Sequence, residues 1–478
     1  MSALALAHRV RPSARIAGVV GALRRQPVAA WPVAATATTL YMAYSTAQWN
    51  RLESPSWDLG IFTQLAKAYA AFGAPIVPIK GEGFNLLGDH FHPILILLGP
   101  VYALFPTAFA LLALQNLLFG LSVFVLTATA IRLIGRWSGV AVGLAYSVSW
   151  GLQPAVYAQF HEIAFAVPLL ALSASFLLLR RLVPAVVFAG LLVFVKEDLG
   201  LTVIALGLII AWRLRHPAGL WLAAWGLSWL LLSVRVLLPA LNSSGTYDYA
   251  ERIDVAGMLA DPATAVVQLF TGEPKYETSR LLLAAGGLLF LRSPLALAMV
   301  PTLLWRFASS EEGYWGPEWH YSAVLMPLLF LALVDAVAAS AASRRRWVRA
   351  LGRGAVPVAV LSALLILPGQ PLAQLAAAQT YQQSPRWDAA HRMMDLIPEG
   401  SSVESGVSLM PYLVPRTTVY WLGSAHPTPD YLIVDAEDWS WGPVRPASAV
   451  DHAESTYPGA SYTLVFEQDG YQLVRRDR

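Results

Sequence analysis

A few polar clusters, far apart along an otherwise apolar chain, carry side chains able to do acid–base, metal or phosphate chemistry. Asp58 stands in Ser54-Pro55-Ser56-Trp57-Asp58-Leu59-Gly60, just ahead of an amphipathic segment from Ile61 to Phe72. In the first turn of a helix a carboxylate lies near the positive end of the backbone dipole and stays ionised. Such a group is either a base for a hydroxyl proton or a second capping residue beside Ser56. The loop then runs to Asp89-His90-Phe91-His92-Pro93. Two imidazoles at i and i+2 project to one side of an extended segment. With an oxygen from Asp89 they make half of a divalent-metal site; alone they suit hydrogen bonds to a phosphate or sugar. Gln159-Phe160-His161-Glu162 and Lys196-Glu197-Asp198 place charge where almost no loop separates apolar segments. Ionisable groups at the edge of hydrocarbon usually face a cavity, although a tight charged loop also marks the membrane surface. Arg235, near the end of an apolar run, either snorkels or binds an anion. Glu311 to Tyr321, with His320, mixes aromatics and carboxylates as a sugar site does, and as an interfacial belt does.

These groups need elements to hold them, and the composition says which. The chain has 478 residues, 56% hydrophobic and 13% charged. Soluble domains carry about 25% charge, and a soluble chain must still cover its surface. The bulk of this one therefore faces lipid. The chain has no cysteine, which excludes disulfides, thiol nucleophiles and thiolate metal sites. There is no phosphate-binding or dinucleotide glycine motif, lipase elbow or zincin helix, and nothing supports nucleic-acid binding.

Apolar runs at 28–48, 108–131, 137–152, 164–180, 182–195, 199–212, 218–238, 280–291, 294–305, 321–341 and 354–370 predict about eleven spanning helices. The run 93–105, among Pro93, Pro100 and Pro106, predicts a re-entrant or interfacial helix. Arg132 and Arg136, Arg180 and Arg181, Arg213 and Arg215, and Arg344 to Arg349 fall on alternate connections. With the basic residues 1–27, read as a retained cytoplasmic N-terminus, they predict an N-in, C-out topology. Nearly all the acidic residues before 370 then fall outside; Asp335 lies within a span. Residues 28–372 form the transmembrane domain, with a first extracytoplasmic loop at 49–107. Beyond 373 the composition turns soluble, and 373–478 predicts a small extracytoplasmic α/β domain. Its elements are a helix at 387–397, strands at 417–422 and 430–435, and a hairpin at 462–475 turned at Asp469-Gly470.

In order, Asp58-Leu59-Gly60-Ile61-Phe62, His90-Phe91-His92-Pro93, Phe160-His161-Glu162, Lys196-Glu197-Asp198 and His320-Tyr321 resemble a bacterial family of polytopic membrane proteins, DUF2079-like. Ile397-Pro398, Leu409–Arg416 and Asp430-Tyr431 extend the resemblance to the tail. That family is similar to the GT-C glycosyltransferases, which take sugars from polyprenyl-phosphate donors outside the membrane. The resemblance implies a GT-C-like all-α membrane fold in the bacterial plasma membrane, with an extracytoplasmic active face. It implies a transferase with a polyprenyl-phosphate lipid donor and a cell-envelope glycan or lipid acceptor. An acidic residue early in the first outer loop is the GT-C signature, and Asp58 holds that place as general base. Many GT-C enzymes have two adjacent acidic residues there; a single one fits a base better than a metal ligand. Burial beneath the loops is expected to raise its pKa toward a useful range. His90, His92, His161, Glu162, Lys196, Glu197, Asp198, Arg235 and His320 are the substrate-binding candidates. Of these, Lys196, Arg235, His161 and His320 are expected to face the departing phosphate. Asp89, His90 and His92 are the candidates for a divalent metal. Two other functions fit the fold, a lipid or solute transporter or flippase and a GT-C-like scaffold without catalysis.

Overall fold

The computed structural model describes residues 26–477. The expected cytoplasmic N-terminus at 1–27 lies almost wholly outside the described residues. Helices dominate up to residue 366, and a small sheet closes the chain. Among the described residues four helices are long and apolar enough to cross a membrane: Phe109–Ile134, Ala218–Leu241, His320–Ala341 and Arg346–Gly369. Pro93–Leu104, Ile163–Leu178, Leu182–Phe194, Leu199–Leu214 and Pro294–Ala308 are apolar but shorter. The run at 280–291 is not one helix. Helix Glu273–Ala285 stops where Gly287 and Leu288 take φ of 58° and 57°, left-handed values that a continuing helix excludes. The run at 137–152 likewise breaks, into Arg136–Ser147 and Leu152–Tyr157.

Helices Leu199–Leu214 and Ala218–Leu232 pair unusually closely. A Cβ on Gly207 would lie 2.6 Å from the Gly219 carbonyl oxygen, and one on Gly219 would lie 2.4 Å from that of Gly207. Gly200 and Gly226 repeat the contact one heptad away, at 3.0 and 2.7 Å. In lipid, where apolar burial gives no net drive, such backbone approach is what holds helices together. The seam fixes Asp198 at one end of the pair and Arg213 at the other.

The C-terminal sheet comprises β1 (Ser402–Ser405), β2 (Thr418–Trp421), β3 (Tyr431–Asp435), β4 (Tyr462–Gln468) and β5 (Tyr471–Arg476), ordered β2-β1-β3-β5-β4. β1 runs parallel to both β2 and β3; β5 is antiparallel to β3 and to β4. Asp469 and Gly470 turn the hairpin with φ of 49° and 81°, the sign a tight two-residue turn requires at both positions. Helix Trp387–Asp395 forms where expected, whereas β1 and helix Ala449–Thr456 are additions.

Helix Asp58–Ala70 lies between this unit and the bundle. Gln64 donates to the Val419 carbonyl at 2.8 Å and accepts from the Ile79 amide at 3.0 Å. Lys67 donates to the carbonyls of Val414 and Thr417 at 2.7 and 3.1 Å. Gly60 leaves room for Met410, whose Cβ would be 3.0 Å from an added methyl. On the other side Pro93–Leu97 and Leu98–Leu104 pass beneath it, with Gly99 against the Tyr69 backbone.

Candidate active site

Asp58 is the first residue of its helix, and the preceding Trp57 makes no side-chain cap. Ser56 Oγ accepts weakly from the Asp58 amide at 3.4 Å. The Asp58 carboxylate instead faces His161, with Oδ2 3.2 Å from Nε2. His161 is set by a sharp bend: Gln159 adopts φ of 70°, the fully buried Phe160 packs edge-on against Phe62 at 5.5 Å, and Gln115 Oε1 accepts from the His161 amide at 3.3 Å. Gln115 belongs to the long helix Phe109–Ile134, so a spanning element fixes the ring. His320 stacks on His161 with centroids 3.6 Å apart.

The other charges form a chain of pairs. Lys196 Nζ lies 2.9 Å from Glu162 Oε1, both side chains largely buried. Glu197 takes His90 Nδ1 at 2.7 Å on one oxygen, with Tyr247 OH donating to it at 3.1 Å, and the Phe91 amide at 2.9 Å on the other. Asp89 pairs with Lys80 at 3.3 Å and accepts from Tyr249 OH at 3.1 Å. Tyr249 stacks on His90 and lies beneath the Arg252 guanidinium at 4.5 Å. Asp198 Oδ1 and His92 Nδ1 are buried with no hydrogen-bond partner among the described residues.

These groups surround one cavity of about 480 Å³. Trp57, Tyr247, Tyr249, Tyr314 and Tyr321 rim it, and Leu201, Leu230, Val234, Ile253 and Val255 form an apolar wall. Desolvation pushes the Asp58 pKa up, as expected, but the His161 imidazole at its side outweighs it and holds the carboxylate at about 2. The expected rise into a useful range is thus reversed, because the partner across the cavity was not visible along the chain. His161 is desolvated too, yet Asp58 holds its pKa above the ordinary imidazole value. The two shifts agree on one proton held between Asp58 and His161. Desolvation keeps Asp198 up at about 6 against the pull of Lys196, and it pushes His92 down to about 4, leaving that ring neutral.

Asp58 and every substrate-binding or metal candidate named from the sequence line this cavity, except Arg235. The turn Ser233–Leu237 is a π-helix, and Arg235 is exposed on it. The extra residue per turn rotates the face, so Val234 lines the cavity instead. Asp89 and His90 share Tyr249 but are engaged by Lys80 and Glu197, and His92 Nδ1 has no hydrogen-bond partner among the described residues. Among the described residues no group of three or more His, Asp or Glu side chains is disposed to hold a metal ion. Lys80 was missed as a site residue. Lys80 is a lone cation in a long loop, here 4.8 Å over the Trp57 ring, and no motif marks it.

Comparison with known proteins puts the fold in context. Residues 48–473 match the family model described as Predicted membrane protein (DUF2079). No curated protein matches the chain. Among solved structures, ArnT from Cupriavidus metallidurans bound to undecaprenyl phosphate superposes with a TM-score of 0.55 at 13% identity, covering 92% of this chain and 97% of that one. The same protein in the apo state gives 0.55 at 14% identity, covering 96% and 98%. The GT-C resemblance of the fold is therefore borne out over nearly the full length of both chains.

Proposed function

The chain belongs to the DUF2079 family of predicted membrane proteins, and from the site built on that fold we propose that it is a membrane glycosyltransferase. It moves a sugar from a polyprenyl-phosphate donor to a hydroxyl of a cell-envelope glycan or lipid. In this reading the chain crosses the bacterial plasma membrane about eleven times, N-in and C-out, with the cavity on the extracytoplasmic side. Residues 28–372 form the transmembrane domain, and 373–478 form the outer domain.

The observation that carries the reading is the Asp58–His161 pair, 3.2 Å apart and open to a cavity with an apolar wall and a polar floor. The acceptor oxygen bonds to the anomeric carbon as the carbon–oxygen bond to phosphate breaks. The bonding electrons leave with the phosphate, and the hydroxyl proton passes to Asp58. Because Asp58 and His161 together hold one proton, the base-competent form is the pair without it, which grows as pH rises past the raised His161 pKa. Lys196 is already neutralised by Glu162. Lys80 is likewise paired with Asp89, so Arg252, with no carboxylate partner among the described residues, is better disposed than either lysine to meet the departing phosphate. Leu201, Leu230 and Val234 suit a prenyl chain, and undecaprenyl phosphate, the ligand of the ArnT structure, is of that donor class. The charge most suggestive of transport, Asp335, is held by both nitrogens of Arg213 at 2.6 and 2.5 Å and by Ser293 at 2.6 Å. That engagement suits a structural tie better than a moving charge.

The test is transfer from a polyprenyl-phosphate sugar by the full-length protein in nanodiscs. Asp58→Asn should lower the rate by about 10²–10⁴-fold while donor binding and melting temperature stay as in the parent. Full activity in Asp58→Asn would overturn the assignment.

A further inference from the structure

Helix Leu199–Leu214 runs about 24 Å from Asp198 at the cavity to a second, open basin at its other end. That basin, of about 820 Å³, is lined by Arg180, Arg213, Arg215, His216, Trp212 and Leu182, together with Leu214 and Pro294. Its three arginines are not equivalent. Arg213 is committed to Asp335. Arg180 and Arg215 are exposed, and no carboxylate among the described residues pairs with either. Both sit at helix ends in the left-handed region, with φ of 57° and 51°, so the chain turns sharply at each and brings them to one mouth. The mouth borders the lipid-facing surface: Trp212 is 69% exposed, and Val183, Val187 and Leu208 beside it are exposed apolar side chains.

Uncommitted guanidiniums, an indole of the kind that sits at headgroup level and adjoining exposed aliphatics match an anion that carries acyl chains. A free anion would need the arginines but not the aliphatic flank. We propose that this basin binds the phosphate of an anionic glycerophospholipid from the leaflet at that end of the bundle. Arg180 and Arg215 hold the phosphate, Trp212 lies at the glycerol level, and the acyl chains run along Val183, Val187 and Leu208. Asp335 contributes by withdrawing Arg213: its carboxylate neutralises the one guanidinium that braces helix Leu325–Ala341, leaving the other two for the ligand. The site does not depend on the glycosyltransferase reading and lies away from the cavity that carries it.

Native mass spectrometry of the full chain, titrated separately with phosphatidylglycerol, phosphatidylcholine and inorganic phosphate, tests this. At about 1 kcal/mol for each guanidinium near an anionic lipid, two correspond to a preference for phosphatidylglycerol of about thirty-fold. Arg180→Gln/Arg215→Gln should abolish that preference, and Arg180→Lys/Arg215→Lys should retain most of it. Millimolar inorganic phosphate should not displace the lipid. Equal binding of the two lipids would overturn the proposal, and so would an unchanged preference in the folded glutamine double variant. Inorganic phosphate binding as tightly as phosphatidylglycerol would do so too, because it would make the basin a free-anion site. If the glutamine variant does not melt like the parent, the comparison of lipids on the parent and the lysine variant decides.

Discussion

Replacing His161 with glutamine removes the main partner that holds Asp58 ionised far below its ordinary range, while keeping a side chain of similar length. Asp58 lies at about 2 with the imidazole at 3.2 Å, against an ordinary aspartate value of about 3.9. The net shift is nearly two units, on the order of 2.5 kcal/mol, with His161 the main pull against desolvation. That figure is an upper value, since the Asp58 side chain is 25% exposed and water screens the interaction. The sign of the pH effect follows from the shifts. His161 is raised, so the parent pair loses its proton only above the ordinary imidazole value of about 6.5. Its transfer rate should therefore climb on the alkaline side of about pH 6.5 and then level. In His161→Gln no imidazolium competes, and the carboxylate is free of its proton wherever pH exceeds the aspartate's own value. The climb should move to the acid side by about two units or more, leaving kcat/KM flat from pH 6 to 9. The plateau should fall by about tenfold as Asp58 loses its orienting partner. The assay is the pH profile of kcat/KM with a polyprenyl-phosphate sugar in nanodiscs, parent and variant side by side. A profile with the same inflection in both proteins would refute the shared-proton argument, as would a parent profile already flat across that range.

Two further substitutions probe the scaffold. Lys67→Met removes a charged donor from two carbonyls of the C-terminal unit. It should cost about 1.5–3 kcal/mol, read as a lower melting temperature and faster proteolysis beyond residue 373. Gly207→Leu drives a side chain into backbone 2.6 Å away and should prevent the native pairing of its helix. Gly354→Leu, where nothing lies within 4 Å, should express and melt like the parent.

The membrane character was legible because the missing charge has no other physical explanation, and the family resemblance supplied the bundle. The site was legible as a set of residues but not as a set of partners. Asp58 and His161 are separated by five α-helices, and nothing along the chain says that one faces the other. Arg235 looked functional because it was a lone charge in an apolar run; a single π-turn, without a signal in Ser233–Leu237, puts it outside. Lys80 was passed over for the opposite reason, an ordinary lysine in an ordinary loop that the fold carries to the cavity. In the tail, Asp469-Gly470 gave away the hairpin. β1 stayed hidden because Val403 is its only apolar residue, although the strand is paired on both sides and Glu404 is 2% exposed.

The wedging of the Asp58 helix has a consequence in time. Gln64 finds its partner at Val419, 355 residues further along. At about 5–20 residues per second, a ribosome takes about 20–70 s to reach that partner after the helix has been made. For that interval the carboxylate-bearing helix rests on the bundle alone, its upper face bare. The nascent protein can enter the bilayer, and even fold much of its bundle, before the helix that carries Asp58 is covered, so a segment made late secures one made early.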